Sequence, residues 1–486
     1  MEKYAQENIA EEESVVLQRE RKQFIKMTQT PIARLIIGLG IPTTLSMMVT
    51  SLYNLADAYF VSMLASDSAT AAVNNLLALM SIIQAVGFTY GMGSGSIISR
   101  LLGKRDRESA DRTASSSFFI ALISGVVIAV IGFIFLTPLM KLFGANSAAT
   151  LENSKEYGRF VLLSAPIMCM SFVMNNVLRA EGKAVLSMIG LVVGAVINVA
   201  LDPLMIFVFD MGIRGAGVAT FISQIISFSV LLFMFLSRKT IIRLRLRFVS
   251  KRFNTYWEVI ATGFPSFCRQ ILASLCTVFL NDAAFTYGEA AFVDGGDAAQ
   301  AALGVVQKVF MLAFSISLGI GQGYQPVLGY NYSAKRFDRV RSAYLFTLAF
   351  ATAVITLFAV ACLFFAPALM NAFSLSKEAT EIGTLALRLQ CLAMPLLPLN
   401  FMAGLTYQSV GNKALAALLS ISRQGLFYIP AVLILPRVFE LFGVQSCQAV
   451  SDFFAFFFAL PFTFLFFKKL KEEQKNALLE QFKEEK

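Results

Sequence analysis

Apolar residues occur in long unbroken stretches that recur along the whole chain. Uncharged segments cover 35–56, 68–99, 113–140, 215–237, 342–376 and 389–412. Each is longer than the roughly 18 residues that a helix needs to cross a lipid bilayer. The apolar character is continuous rather than alternating, which argues against an outer-membrane β-barrel. The pattern therefore predicts an all-α polytopic membrane protein.

Twelve transmembrane helices fit this pattern. We predict spans at 32–64, 69–101, 113–140, 157–180, 184–209, 214–237, 257–287, 299–329, 342–372, 385–408, 414–436 and 444–467.

The first 31 residues are polar and charged and contain no apolar core followed by a small-residue cleavage site. We therefore expect no removable signal peptide, and the first span would serve as its own insertion signal.

Composition agrees with this prediction, because 57% of the 486 residues are hydrophobic and 15% are charged. The formal net charge of +10 could indicate a nucleic-acid partner, but the basic residues fall in alternate connections. The connection 238–252 carries seven lysines and arginines and no acid, whereas 288–297 carries three acids and no base. This positive-inside pattern predicts a multi-pass protein of the cytoplasmic membrane with both termini cytoplasmic and no nucleic-acid partner.

The two halves of the chain contain related sequence features. Gly40-Ile41-Pro42 opens the first span, and Gly263-Phe264-Pro265 opens the seventh, 223 residues later. The glycine cluster 91–95 has a counterpart in 319–323, at an offset of 228 residues. We infer an internal duplication into two pseudo-symmetric six-helix bundles with a cleft between them. The glycine clusters are interpreted as sites of close helix packing.

This duplication defines the predicted domain organisation. It comprises an N-terminal tail 1–31, an N-lobe 32–237, a basic linker 238–256, a C-lobe 257–467 and a C-terminal tail 468–486. The chain contains no histidine, which removes the most common general base and zinc ligand, and its six cysteines form no Cys-x-x-Cys pair. We expect a monomer with no enzymatic activity and no cofactor apart from a coupling ion.

Charged residues inside the predicted spans are the candidates for function, because each costs about 2.5–3.5 kcal/mol to insert. They are Asp57, Asp202, Arg269, Asp282, Lys308, Arg423 and Asp452. The first half contributes only acids, whereas the second half mixes acids with bases that could neutralise one another. Arg179 is assigned to the fourth, cytoplasmic connection. Along the substrate pathway we expect Arg269, Gln270, Asp282 and Lys308.

Amide side chains accompany both acids of the first half. Asn198 and Asp202 are four residues apart and Asn54 and Asp57 are three apart, so each pair shares one helical face. Such groups could bind Na⁺ through oxygen ligands or carry a proton. Alternatively, they could simply form hydrogen bonds between helices.

Three segments resemble the multidrug and toxic compound extrusion (MATE) family, in particular its DinF-like and MepA-like prokaryotic branch. They are 52–57, which ends in Asp57, then 178–182, and then Asn198-Val199-Ala200-Leu201-Asp202-Pro203 followed by 215–220. The resemblance covers essentially the whole chain. It implies a cation site at Asp57, Asn198, Asp202 and Thr220, with Asn176 as a further member. Ser62 stands where the family usually has a glycine, which affects the expected helix packing there.

The resemblance implies cation-coupled efflux, driven by H⁺ or Na⁺, of lipophilic and often cationic organic compounds by alternating access. A lipid-linked oligosaccharide flippase of the same superfamily is an alternative, with Arg269, Lys308 and Arg423 as cationic residues for a pyrophosphate. A membrane enzyme acting on lipid substrates is a distant alternative. It would depend on loop carboxylates such as Asp106, Glu108 and Asp111.

Overall fold

The computed structural model describes residues 17–64, 67–145, 147–237, 239–291, 295–373 and 376–484, and these residues form helices without any β-strand. The α-helices are α1 (17–29), α2 (Ile32–Ser62), α3 (Asp67–Gly103), α4 (Arg107–Ile134), α5 (Leu136–Leu142), α6 (Ala148–Ala180), α7 (Ala184–Pro203), α8 (Gly212–Leu236), α9 (Phe253–Ala291), α10 (Gly295–Ser333), α11 (Phe337–Ala372), α12 (Lys377–Ala393), α13 (Leu397–Val410), α14 (Lys413–Ile421) and α15 (Ile429–Glu484).

Twelve spans are present, although the described residues contain only 11 separate helical segments that are long and apolar enough to cross a membrane. The last segment, Lys413–Glu480, holds two spans, because Glu440 leaves the helical conformation with φ 48° and ψ −132°. A Cβ on Gly443 would collide with the carbonyl oxygen of Leu435, which shows that the chain turns back at this point. The predicted twelve-helix, all-α architecture is confirmed.

Three spans depart from regular α-helix near polar residues. Helix α7 continues from Pro203 into the π-helix Leu204–Val208, directly after Asp202. The tenth span is interrupted by a 3₁₀ turn at Met394–Leu396, and the eleventh contains the π-helix Ser422–Tyr428. Such π-helical turns are often found at functional sites, because they redirect side chains that regular helix would point elsewhere.

The glycine clusters allow the two lobes to pack closely. Helix α2 packs against α10, and α3 packs against α9. A Cβ on Gly263 would collide with the carbonyl oxygen of Thr89, and a Cβ on Gly323 would lie 2.6 Å from the Cα of Gly40. The close packing predicted for these glycines is therefore present, and it lies between the halves.

Hydrogen bonds reinforce this interface toward one side of the membrane. Within the described residues, the interlobe hydrogen bonds that involve only oxygen and nitrogen atoms join Thr43 to Gly319, Ser51 to Ser315, Ser96 to Gln325 and Arg179 to Gln322, and the N-terminal segment adds bonds from Met27 to Asn331 and from Thr30 to Arg339. Apart from the Ser51–Ser315 bond, which lies near the middle of α10, they lie toward the helix ends that the positive-inside pattern assigns to the cytoplasm. The lobes are therefore closed toward the cytoplasm in this conformation.

The basic linker is held against the N-lobe through its backbone. The Glu181 carboxylate accepts hydrogen bonds from the backbone N–H groups of Ile241 (3.0 Å) and Ile242 (2.8 Å). Asp111 accepts one from the N–H of Arg243 at 2.8 Å. These two buried acids satisfy linker backbone groups that would otherwise lack partners. At the other end of the chain, α15 continues the last span as a helix to Glu484.

Candidate functional site

Two buried carboxylates lie close together in the N-lobe, in the outer half of the membrane. Asp57, near the end of α2, is 7% exposed, and Asp202, near the end of α7, is fully buried. They are near enough to interact electrostatically. Neither forms an ion pair with a lysine or arginine among the described residues.

Hydrogen bonds orient one oxygen of each carboxylate. The hydroxyl of Tyr157, on α6, donates to Asp57 Oδ2 at 2.7 Å. Asn198 Nδ2 donates to Asp202 Oδ1 at 3.4 Å, as their spacing on one helical face predicts. Thr220, on α8, is buried near the Tyr157 hydroxyl, with no hydrogen bond between the two side chains among the described residues. Four helices thus contribute to one polar cluster, which we name the acidic cluster: Asp57, Tyr157, Asn198, Asp202 and Thr220.

Among the described residues, which leave out the Asn54 side chain, three buried oxygens of the acidic cluster have no hydrogen-bond partner. They are Asp57 Oδ1, Asn198 Oδ1 and Asp202 Oδ2. Leaving a buried acceptor unsatisfied costs about 1–3 kcal/mol, and more for a charged group. Carboxylate and amide oxygens are suitable ligands for a hard cation, and each carboxylate can also take a proton. The cluster therefore has the donor atoms of a cation site.

The structure brings together Asp57, Asn198, Asp202 and Thr220, which were predicted from segments far apart in sequence. The side chain of Asn54 is outside the described residues. Asn176 lies elsewhere in the same lobe, where its Nδ2 donates to the carbonyl of Phe172 at 2.8 Å. It lines a cavity instead of the acidic cluster.

This cavity, the N-lobe cavity, occupies about 810 Å³ including the space open to solvent. Its lining combines aromatic, methionine and amide side chains, among them Met47, Tyr53, Gln84, Phe88, Met168, Phe172, Asn175, Asn176, Arg179 and Asn198. Asn198 contacts Asp202 and also lines the cavity. The acidic cluster and the cavity are thus connected through a shared side chain.

Arg179 is a cavity residue that the sequence prediction placed wrongly. It belongs to the last turn of α6 instead of a loop, and it is 4% exposed. Its Nε donates to Ser187 at 3.1 Å, and its Nη1 donates to Gln322 of the C-lobe. The prediction that the first half has only acids in its spans is therefore also wrong. The predicted span 157–180 ends at the same residue as α6 and already contains Arg179, but the prediction grouped Arg179 with Lys183 in the connection that follows.

Tyr157 is a member of the acidic cluster that the sequence did not reveal. It lies in the first third of α6, where a tyrosine is common near a membrane interface. Only the tertiary structure, which brings the Tyr157 hydroxyl to the Asp57 carboxylate, shows that the two residues are partners. No sequence spacing relates two residues that are 100 positions apart.

The C-lobe holds a second, smaller cavity, which we name the C-lobe cavity and which occupies about 360 Å³ including the space open to solvent. It is lined by Arg269, Phe314, Leu397, Asn400, Phe401, Gly404, Leu419, Ser420, Arg423 and Gln424. Arg423 Nε donates to Asp452 Oδ1 at 2.7 Å, and both side chains are buried. Here a base and an acid of the second half do neutralise one another.

The other residues expected along the substrate pathway lie away from both cavities. Asp282 and Lys308 are exposed on their helices, and Lys308 Nζ lies 5.7 Å from the ring centre of Phe373. Gln270 is half-buried and lines neither cavity. Of the four predicted residues, only Arg269 lines one of these two cavities in the described part of the chain.

Aromatic side chains separate the two cavities. Phe88 and Phe172 line the N-lobe cavity, with ring centres 4.7 Å apart. Phe314 and Phe401 line the C-lobe cavity, with ring centres 5.7 Å apart. Phe88 and Phe314 both pack against a small cluster that includes Met92. Phenylalanine rings thus line both cavities, and the charged residues of both linings are basic: Arg179 in the N-lobe cavity, and Arg269 and Arg423 in the C-lobe cavity.

Comparison with known proteins agrees with this architecture. The MatE family model matches residues 42–204 and 265–434, one segment in each lobe. The chain belongs to the MATE family. This MATE transporter is a multi-pass protein of the cytoplasmic membrane, and the predicted family membership is confirmed.

Its relatives include the multidrug export protein MepA of Staphylococcus saprophyticus, with 24% identity over 94% of this chain and 99% of the relative. MepA of Staphylococcus haemolyticus is 24% identical over 90% of this chain and 95% of its own length.

Among solved structures, an outward-facing multidrug resistance MATE family transporter of the MOP superfamily has a TM-score of 0.86 and 27% identity. The alignment covers 92% of this chain and 98% of that chain. A MATE structure in the straight conformation matches equally well, with a TM-score of 0.86 and 27% identity over 92% and 99% of the two chains.

Proposed function

We propose that this MATE transporter exports lipophilic, often cationic drugs in exchange for H⁺ or Na⁺, which bind at the acidic cluster. The observation that carries the proposal is the set of three buried, unpartnered oxygens on Asp57, Asn198 and Asp202. Two carboxylates buried without a basic partner need a proton or a cation, because interhelical packing alone would leave their charges uncompensated. The MepA relatives, named as multidrug export proteins, support the substrate class.

Coupling requires that the cation bind the two conformers of the transporter with different affinities. The acidic cluster joins α2, α6, α7 and α8, so a bound cation would change how these helices pack. Asn198 is suited to pass this change to the drug, because it contacts Asp202 and lines the N-lobe cavity. Cation entry from outside would thus favour release of a drug from the cavity.

Drug binding would take place in the N-lobe cavity. Phe88 and Phe172 offer aromatic faces, which attract flat organic cations, and Met47 and Met168 adapt to different shapes. The negative charge of the acidic cluster would attract a cationic drug. Entry of the coupling cation would remove that attraction and displace the drug.

The alternatives gain less support from the structure. A flippase would need several free cations for a pyrophosphate, but Lys308 lies outside both cavities and Arg423 is already paired with Asp452. For an enzyme, the three candidate carboxylates have structural contacts instead. Asp106 caps α4, Glu108 pairs with Arg112, and Asp111 holds the linker.

The test is dye efflux from proteoliposomes under separately imposed Na⁺ and H⁺ gradients. We expect Asp202→Asn and Asp57→Asn each to reduce coupled efflux at least tenfold, because an amide can neither take up a proton nor compensate a cation's charge. The matched control is Asp282→Asn, which removes an acid from a membrane helix outside both cavities. Coupled efflux that survives unchanged in both cluster variants would refute the proposed coupling site.

A further inference from the structure

The N-terminal helix α1 contacts both lobes at their cytoplasmic ends. It lies within the polar segment 1–31 that precedes the first span, yet part of it is tightly packed. The side chain of Met27 is fully buried, and that of Thr28 is 2% exposed. A solvated tail would leave both side chains in water. Helix α1 is therefore part of the packed cytoplasmic end of the protein.

Two contacts hold α1 against the N-lobe. Gln23 Nε2 donates a hydrogen bond to the backbone carbonyl of Glu181, between α6 and α7, at 2.6 Å. The guanidinium carbon of Arg105, between α3 and α4, lies 4.3 Å from the ring centre of Phe24, within the range of a cation–π interaction. Helix α1 is thus bound to two cytoplasmic connections of the N-lobe.

The C-lobe supplies hydrogen-bond donors to the C-terminal end of α1. Asn331 Nδ2 donates to the carbonyl of Met27 at 3.0 Å, and Arg339 Nη2 donates to the carbonyl of Thr30 at 2.6 Å. Arg339 Nε also donates to Asn331 Oδ1 at 3.0 Å, so the two donors orient each other. The last carbonyls of a helix lack partners within the helix, and a positive charge is favourable at that end. A helix held by the N-lobe is therefore capped by the C-lobe.

This cap exists only while the lobes are together on the cytoplasmic side. Helix α1 leads through Thr30 and Pro31 directly into α2 of the N-lobe, whereas Asn331 and Arg339 belong to the connection between α10 and α11. Opening toward the cytoplasm, which alternating access would require, separates the two sets of groups. The cap thus favours the closed side, because its hydrogen bonds stabilise one conformer and not the other.

We propose that α1 is an interlobe clasp, in which Asn331 and Arg339 are positioning residues that hold the cytoplasmic side of the transporter closed. The clasp lowers the population of the conformer that opens the N-lobe cavity to the cytoplasm. This inference rests on the alternating access of the proposed function, but not on its coupling site. It can be measured without an ion gradient or a drug.

The experiment measures the distance between two nitroxide labels by double electron–electron resonance. It uses the full chain in lipid nanodiscs, with the six native cysteines replaced by alanine. The labels are attached through Glu108→Cys and Ala414→Cys, at exposed sites near the cytoplasmic ends of α4 and α14. One site lies in each lobe and neither contacts α1, so the ratio of long to short distances reports opening toward the cytoplasm.

We expect Arg339→Gln and Asn331→Leu each to raise this ratio about tenfold, the effect typical of one lost hydrogen bond to a charged donor. Arg339→Lys should keep part of the effect of the native arginine, because it retains the charge at the end of α1. Arg341→Gln is the matched control, since it removes an exposed cation from the same helix, and it should leave the ratio unchanged.

A variant of α1 tests whether Arg339 acts through this helix. Lys26→Pro should interrupt α1, because proline lacks the N–H and collides with the carbonyl four residues earlier. Lys26 is exposed, so little packing is lost, and Lys26→Gln controls for its charge. We expect Lys26→Pro to raise the ratio about tenfold. Adding Arg339→Gln to it should then change the ratio less than twofold, because both substitutions remove the same contact.

The proposal is overturned if Arg339→Gln and Lys26→Pro both leave the distance ratio at the wild-type value. It is also overturned if Arg339→Gln has its full effect in the Lys26→Pro chain, since Arg339 would then act through another contact. A merely structural role would lower Tm without changing the distance ratio. Coupled dye efflux of the Asp57 and Asp202 variants is a separate measurement, so the clasp and the coupling site can fail independently.

Discussion

The two lobes share a backbone plan but treat buried charge in opposite ways. In the N-lobe, Asp57 and Asp202 are buried with oxygens that lack partners. In the C-lobe, Asp452 is buried against Arg423 at 2.7 Å, and the free charge that remains is the positive one of Arg269. The duplication thus preserved the surfaces where the helices pack, whereas the arrangement of buried charges diverged between the lobes. The acids of the N-lobe can accept an added cation, whereas the buried acid of the C-lobe already has Arg423 as its counterion.

The largest expected effect comes from breaking the C-lobe ion pair. Asp452→Asn would leave Arg423 buried without a counterion, and breaking a buried pair on one side costs about 3–5 kcal/mol. Asp202→Asn in the N-lobe leaves no unpaired cation, so its cost should stay within about 1 kcal/mol, the net value of one hydrogen bond. Thermal unfolding in detergent, followed by Tm, compares the two directly.

A C-lobe double variant provides the control for this prediction. Replacing both partners, Arg423→Leu with Asp452→Leu, should recover much of the lost Tm, because no buried charge remains uncompensated. If Asp202→Asn lowers Tm as much as Asp452→Asn, the two lobes do not differ in the way described above.

The next-largest effect concerns the close glycine contacts between the two lobes. Gly263→Ala would push a Cβ against the Thr89 carbonyl, and Gly323→Ala would push one against the Gly40 backbone. Backbone atoms cannot move aside easily, so each variant should lose about 1–3 kcal/mol through overpacking and should hinder closure toward the cytoplasm. The two losses should be similar, because the contacts are related by the duplication. For each variant, Tm measures the loss of stability and the efflux rate measures the hindered closure.

Gly304→Ala is the matched control, since it lies on α10 like Gly323 but a Cβ there would have no atom within 4 Å. It should be neutral or slightly stabilising. A loss for Gly304→Ala as large as that for Gly263→Ala would show that helix propensity, and not interlobe contact, governs these positions.

The smallest expected effect comes from removing single hydroxyl groups, and it distinguishes the Tyr157 hydroxyl, which we place in the coupling site, from the structural hydroxyl of Tyr324. Tyr157→Phe removes the donor to Asp57, and Tyr324→Phe removes a buried hydroxyl that lies 2.9 Å from Thr406 in the C-lobe. Each should cost about 1 kcal/mol of stability, the typical net value of one hydrogen bond. Only Tyr157→Phe should also lower ion-coupled efflux, by several fold. Equal efflux in the two variants would contradict a role for Tyr157 in the acidic cluster.

Much of this architecture was predictable because it depends on local properties of the chain. Continuous apolar stretches identified the spans, and the offsets between Gly40 and Gly263 and between the two glycine clusters identified the duplication. The pairing of Asn198 with Asp202 followed from their helical spacing. Arg179 was assigned to a connection although the predicted span 157–180 contains it, and only the structure shows that its side chain is buried and donates to Gln322 of the C-lobe.

Tertiary structure decided which charges meet. The sequence by itself determined twelve spans and two related halves, since hydrophobicity and spacing act along the chain, whereas the predicted contrast between acids in one half and mixed charges in the other was wrong at Arg179. Only packing could show that Arg423 neutralises Asp452 while Arg269 stays unpaired, and that Asp282 and Lys308 lie outside the cavities. Contacts between helices depend on crossing geometry and depth, which no single helix encodes.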